Sequence, residues 1–460
     1  MQPSPTVFAV APDLPEEEQA RLAALEERLH ALWAFGRNLL LTWTPSADGI
    51  DVLVIPHYVI AEFAAAGDDN TEARQFIESV IAGPKLVTGD GMEQASSYLG
   101  RAPVHVSLDF VPGDGLSLRA IDAAIQRYSL SYVEDRAVAL FDVVGFSKHL
   151  PLEQVTQLNS LAYSVNAAYS KMLDKSIDLQ FARTTTGDGF YIWNRERSVE
   201  ANVFLYHLMH LVMADNAVAR TKAKGNTTPL LRTCFHIGGH YEFYQSEGLS
   251  PTIYSYIVGD VTIELARMCE RALPGQVIVG DFDAPIRVPQ GDDIDSIHRI
   301  NAVEFIERTQ ATLSSLEGLV LSGDGIESIK CYLTGTRQSD GSFSIKRYRI
   351  RDKHGFSRLA YNAKINIYRR NADPIFLGIQ DNELDAFEVV EDRAPDSGGV
   401  GWPLCDGCLD LGMPGPYCAA AKELAERGSG KSCKFRRLVG CRDAVWDGRG
   451  WEERSNAGDR

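Results

Sequence analysis

The period of the apolar positions changes repeatedly along this chain, and each change marks an element. Leu22, Leu25, Leu29 and Leu32 recur at alternating three- and four-residue steps, which predicts an amphipathic helix over 17–34 with a narrow apolar seam. Two heptads are too few for a coiled coil, so the seam packs on its own domain or forms a dimer contact. A strand is expected at 52–55, a helix near 71–81 and turns around 111–116, giving residues 1–125 as a small α/β region without a chemical motif. A strand over 136–144 then leads to a helix over 152–174, where Val155, Leu158, Ala162, Val165, Tyr169 and Met172 keep helical spacing. A hairpin at 177–194, a helix at 198–219, a strand at 230–237, a helix at 260–272 and a strand at 276–281 follow, in β-α-β-β-α-β order. A helix at 302–317 and a hairpin at 326–350, turning at Ser339-Asp340-Gly341-Ser342, complete this domain. Residues 352–395 read as a linker, acidic near its end, before a cysteine-bearing tail over 396–460.

Composition narrows the picture. At 460 residues there is room for two or three domains with ample cores. A net charge of -16 argues against a nucleic-acid footprint, which needs Lys and Arg against the backbone phosphates. The best membrane candidate, Leu39-Leu40-Leu41, is far short of the roughly 20 apolar residues of a span. Glu16-Glu17-Glu18 stands where a signal peptide needs positive charge, so a soluble cytoplasmic protein is expected.

Two acids end apolar, strand-like runs beside glycine, in Phe141-Asp142-Val143-Val144-Gly145-Phe146-Ser147 and in Gly187-Asp188-Gly189-Phe190. Two such carboxylates can share divalent cations while backbone N–H groups hold a polyphosphate. Either acid alone reads as a solvated strand end. Three more motifs follow in order. Ile237-Gly238-Gly239-His240 ends a strand, Ile257-Val258-Gly259-Asp260 opens a helix reading Glu264-Leu265-Ala266-Arg267-Met268, and Pro274-Gly275-Gln276-Val277-Ile278-Val279 returns to the sheet.

With these five motifs in this order, residues of about 130–285 resemble the catalytic domain of class III nucleotide cyclases. The resemblance implies an α+β fold with a ferredoxin-like core and a catalytic domain over 130–350. It implies that Asp142 and Asp188, with the Val143 carbonyl, bind two Mn²⁺ or Mg²⁺ ions. One cation lowers the pKa of the ribose 3′-hydroxyl and the other neutralises the β- and γ-phosphates. The amides of Val144, Gly145, Phe146 and Ser147 would cradle phosphates where strand passes to helix. Arg267 would stabilise charge on the α-phosphate, a task suited to a guanidinium fork. In homodimers of the family this arginine and the metal aspartates come from opposite chains.

Departures from the family pattern bear on the base. Purine cyclases read it with a lysine and an aspartate at positions held here by Thr184 and Tyr256, and the ribose-orienting asparagine is Ile263, unless Thr262 serves by a one-residue slip. Tyrosine can fill the space left by a one-ring base, and Thr184 and Arg183 offer donors to pyrimidine carbonyls, though Arg183 can equally leave the other face of its strand. This combination resembles the bacterial pyrimidine cyclases of anti-phage signalling. It implies conversion of UTP to 3′,5′-cyclic UMP and diphosphate, a messenger for a separate effector. The alternatives are a cytidylate cyclase, a purine cyclase and a non-catalytic nucleotide sensor. A diguanylate cyclase is disfavoured because its loop needs an acid at Gly189.

Two further clusters have competing readings. Cys405, Cys408, Cys418, Cys433 and Cys441 crowd the tail, where four thiolates can close a structural zinc site or remain buried or redox-sensitive thiols. His207 and His210 lie one turn apart and can chelate a metal, but their helix is apolar enough to make them core-edge residues. His236 and His240 flank the Gly-Gly pair and are expected to shape the site floor.

Overall fold

The computed structural model describes residues 14–65, 71–246, 253–290, 293–337, 343–352, 355–384, 387–393, 444–446 and 451–453. Its elements begin with α1 (Glu16–Trp33), β1 (Asn38–Ser46), β2 (Gly49–Pro56), α2 (His57–Ala65), α3 (Thr71–Ala82), α4 (Gly89–Leu99), β3 (Val104–Ser107) and α5 (Leu118–Gln126). The three strands form an antiparallel sheet in the order β1-β2-β3. Alternation along β2 sends Ile50 and Val52 into one core with Leu22, Leu25, Leu29 and Trp33 of α1 and Ile121 and Ile125 of α5. Leu53 and Ile55 enter a second core with Ile77 and Val80 of α3 and Met92 and Leu99 of α4. Both faces are thus covered by helices, and the α1 seam is spent within its own domain. Thr88 and Ser117 cap α4 and α5 by accepting backbone N–H groups.

The chain continues through β4 (Ser131–Val143), α6 (Pro151–Leu173), β5 (Phe181–Thr185), β6 (Gly189–Asn194), α7 (Val199–Lys222), β7 (Leu231–Ser246), β8 (Ile253–Val258), α8 (Asp260–Arg271) and β9 (Val277–Gly280). Then come β10 (Asp283–Gln290), β11 (Asp293–Asn301), α9 (Ala302–Thr312), β12 (Val320–Leu321), β13 (Asp324–Leu333), β14 (Ile345–Arg351), β15 (Ser357–Arg369), β16 (Ile375–Leu377) and β17 (Glu388–Arg393). A short pair, β18 (Ala444–Trp446) and β19 (Trp451–Glu453), lies near the end.

Two compact units emerge, each assembled from separate stretches: Met1–Leu150, Asp178–Tyr206 and Thr233–Glu270 in the first, and Pro151–Ile177, His207–Arg232 and Arg271–Arg460 in the second. In the first, beside the N-terminal sheet, strands run β7-β4-β6-β5 with β8 on β7. In the second, β15 is the hub, pairing with β13, β14, β16 and β9.

Several sequence-based boundaries move. β7 does not end at Gly238-Gly239 but runs on to Ser246 and turns back as β8, a hairpin the sequence did not announce. β13 and β14 are not two sides of one hairpin along their length; both pair with β15, while beyond β13 the chain ladders with the approach to β14 through the Lys346 N–H to the Thr334 carbonyl at 3.0 Å, the Ser344 N–H to the Thr336 carbonyl at 2.9 Å and an Arg337–Phe343 bridge, and the expected turn at Ser339–Ser342 lies outside the described residues. The stretch 352–395, expected as a linker, supplies β15, β16 and β17. The five tail cysteines lie outside the described residues.

Candidate active site

The residues expected to hold metal, phosphates and base, together with Arg267, fall in the first unit, and His207 and His210 in the second. Antiparallel pairing of β4 with β6 sets Asp142 opposite Gly189 and Leu140 opposite Tyr191. Pairing of β5 with β6 sets Thr184 opposite Tyr191 and Arg183 opposite Ile192. Side chains alternate between faces, and opposed residues share one. Asp142, Leu140, Tyr191 and Thr184 therefore occupy a single face. Burial first, then Cys269, Cys234 and the Asp142 carboxylate, push the Tyr191 phenol up to about 12, so it stays protonated, and it donates to the Thr262 carbonyl at 3.1 Å.

The same register removes Arg183 from this group. It projects from the opposite face, where its guanidinium lies 5.4 Å from the centroid of the Phe190 ring. Arg183 and Thr184 cannot serve one ligand together.

Asp188 reaches the site through a tight turn. The Thr186 N–H donates to the Gly189 carbonyl at 3.0 Å, and Gly187 takes φ +97°, in the left-handed region that favours glycine. The Val143 N–H donates to the Asp188 carbonyl at 2.9 Å, tying the turn to the end of β4. The Thr186 hydroxyl donates to Asp188 Oδ1 at 3.3 Å. Gly189 is obligatory: a Cβ there would sit 1.9 Å from the Phe141 carbonyl oxygen. Both acids are half-buried at neighbouring strand ends.

Beyond β4 the chain does not pass directly into a helix. Gly145, at φ +67°, opens one 3-10 turn over Phe146–Lys148, and α6 starts only at Pro151. The helix dipole expected for the Val144–Ser147 amides is therefore reduced to a single turn.

Arg267 rides on α8, whose opposite face buries Val261, Leu265, Met268 and Cys269. Its side chain is 27% exposed and lies 3.4 Å from Glu270. Ile263 precedes it by one turn on the same face and is exposed. Thr262 points elsewhere, its hydroxyl donating to the Gly259 carbonyl at 2.8 Å, so the one-residue slip is not seen. Tyr256 on β8 pairs with Phe243 of β7, the rings stacked at 5.7 Å and 21°. With Tyr241, Val258 and Ile263 it makes up a set of exposed large apolar groups on the β7–β8 hairpin and α8.

His207 and His240 are buried and held neutral. His207 is buried with Nε2 2.8 Å from Thr312 Oγ1, and burial, helped by His210, pulls it down to about 3. His240 is fully buried, and burial followed by the Arg136 charge brings it to about 3. Both are neutral at any ordinary pH. Among the described residues no group of three His, Cys, Asp or Glu side chains is placed for a metal. Two carboxylates beside a main-chain carbonyl nonetheless suit Mg²⁺ or Mn²⁺, which take one or two protein carboxylates and fill the rest of the shell with phosphate oxygens and water. Tyr191 is the site residue that motif reading missed; counting alternate residues from Gly189 along β6 would have found it.

The sequence matches no protein-family model and no curated protein. Among solved structures the chain is similar to the guanylate cyclase domain of RhGC from Catenaria anguillulae, at 14% identity over 37% of this chain and 97% of that one, TM-score 0.26. It is similar to the adenylyl cyclase CyaB from P. aeruginosa, at 11% identity over 53% of this chain and 98% of that one, TM-score 0.27. A bacterial light-regulated adenylyl cyclase is matched at 14% identity over 41% of this chain and 100% of that one, TM-score 0.25.

Proposed function

We propose that this protein is a homodimeric cyclase of pyrimidine nucleoside triphosphates, turning UTP, or CTP in its place, into the 3′,5′-cyclic monophosphate and diphosphate as a messenger of anti-phage signalling. One observation carries the reading: the β4–β6–β5 register puts Asp142 and Thr184 on one face, with Asp188 tied to the end of β4. The strand order β7-β4-β6-β5 also suits a ferredoxin-like core.

In the reaction the 3′-hydroxyl loses its proton, its oxygen bonds to the α-phosphorus, and the bond from that phosphorus to the bridging oxygen breaks as diphosphate departs. Asp142 and Asp188, with the Val143 carbonyl, would hold two divalent cations, which when bound supply charge neutralisation and a more acidic hydroxyl. Thr184 presents one hydroxyl to the base, able to donate or accept. Tyr256, backed by Phe243, takes up the room that a second purine ring needs. With Arg183 on the opposite face, the weak lean towards uracil drawn from Arg183 and Thr184 together falls to the Thr184 hydroxyl, which serves uracil and cytosine alike.

Arg267 would act on the partner's substrate. It shares an outward face with Ile263, and the exposed apolar set at Tyr241, Tyr256, Val258 and Ile263 suits burial against a second copy.

The test is product analysis. The protein is incubated separately with ATP, GTP, CTP and UTP plus manganese or magnesium, and products are resolved by chromatography and mass. Cyclic UMP or CMP, lost in Asp142→Ala, is expected. A cyclic purine would overturn the base assignment, and turnover that survives Asp142→Ala would overturn the site.

A further inference from the structure

Within the first unit is a cavity of about 490 Å³ that takes in none of the metal, phosphate or base residues described above and shares with their surroundings Phe243 and Tyr241. Its volume falls in the range of small-molecule sites, which are mostly apolar with a few placed polar groups. Trp33, Tyr241 and Phe243 give it aromatic walls, and Leu39, Ile77 and Ile81 give it aliphatic ones. Rings in such numbers favour a flat aromatic occupant, which can stack or meet them edge-on.

The polar lining specifies more. Arg74 and Glu78 stand one turn apart on α3 with opposite charges, so a ligand of net charge gains little from the pair. Gln245 offers both a donor and an acceptor. A neutral heteroaromatic ring with donors and acceptors along its edge answers all three. At one wall, between Trp33 and Gly36, Ala34 and Phe35 hold left-handed backbone at φ 50° and 56°, a conformation uncommon without glycine.

Two walls lead to the proposed catalytic face. Phe243 lines the cavity and stacks on Tyr256. Tyr241 pairs in register with Val258, two residues before α8 and its Arg267 begin.

We propose that this cavity binds a flat, uncharged heteroaromatic molecule, and that its occupancy is transmitted through Phe243 and Tyr241 to β8 and α8. The regulatory meaning of this coupling rests on the cyclase reading, but the binding and the coupling do not.

The experiment uses the full chain and lumichrome, a fluorescent neutral heteroaromatic with an imide edge, as probe. Fluorescence titration should show saturable binding at one site per chain. Ala61→Trp and Glu78→Trp, both on exposed lining positions, should each weaken it at least about tenfold while circular dichroism shows the native fold. Two blocking variants are used so that misfolding of one leaves the other informative. In hydrogen exchange, lumichrome should slow amides over 253–271, and Phe243→Leu should bind the probe yet lose that protection. Absence of saturable binding, or binding undiminished in both blocked variants, would overturn the site. Binding without altered exchange at 253–271 would overturn the coupling. Neither readout needs turnover, so failure to find a cyclic product would count against the proposed activity alone.

Discussion

At Lys85 a buried amine is held by three backbone carbonyls. The residue is fully buried, and Nζ donates to Val80, Ile81 and Leu130 at 3.0, 2.9 and 3.0 Å. Burial, then the like charge of Arg197, pull its pKa down to about 7, with Asp122 opposing. The unfolded chain, with an ordinary lysine, holds the extra proton up to about pH 10. Between those values the unfolded state binds more protons, so stability rises with pH. Denaturant midpoints should climb from about pH 7 to about pH 9, below the tyrosine range, and Lys85→Met should flatten the climb; an unchanged slope would show that Lys85 is not its source. At this scale the sequence points to Asp142, Asp188 and their glycines, and the structure sets them at neighbouring strand ends with Gly189 packed too closely for a side chain. It was silent on Arg183 against Thr184, because which face a strand residue takes depends on a partner's register.

Among the elements, β7 shows how a local rule can mislead. Glycines weaken strand interiors and read as ends, yet Gly239 lies where a Cβ would sit 2.1 Å from the Tyr132 hydroxyl, so it makes room for a neighbour's side chain inside a continuing strand. Further along, Glu242 meets Arg136 of β4 at 2.9 Å, both nearly sealed from water. Removing one partner strands the other, which costs about 3–5 kcal/mol. Glu242→Gln should therefore lower the unfolding free energy by that order in urea titrations, whereas a loss below about 1 kcal/mol would mean that the arginine finds water. β15 reads as a linker in sequence because polar and apolar residues are interleaved along it; Ala360, Ala363, Ile365 and Ile367 are buried among them. The base assignment also belongs to this scale, since Thr184 and Tyr256 come from different strands. Thr184→Lys with Tyr256→Asp should raise purine turnover in the product assay, and an unaltered pyrimidine preference would sink that account.

For the whole molecule, the boundary expected near residue 125 does not exist as a break. Leu130, just before β4, and Tyr132 within it pack against the Leu53, Ile77 and Met92 core, so the N-terminal region and the candidate site share one compact unit. Sequence patterning shows where elements lie but not which core each joins, and a unit made of three separate stretches leaves no compositional seam. If sites are composite, inactive chains should rescue one another. Asp142→Ala mixed equally with Arg267→Ala gives half mixed dimers, each with one intact site, so about a quarter of full activity should return. A mixture as silent as its components would rule out sharing between chains.

The contact between Gly189 and the Phe141 carbonyl has a consequence for heredity. One methyl group at Gly189 would force β4 from β6, and with them Asp142 from Asp188, while altering no charge. A descendant of this chain could thus lose the site by a single codon change and still display every acid and the arginine, so among its relatives the glycine, more than the carboxylates, separates a working copy from a relic.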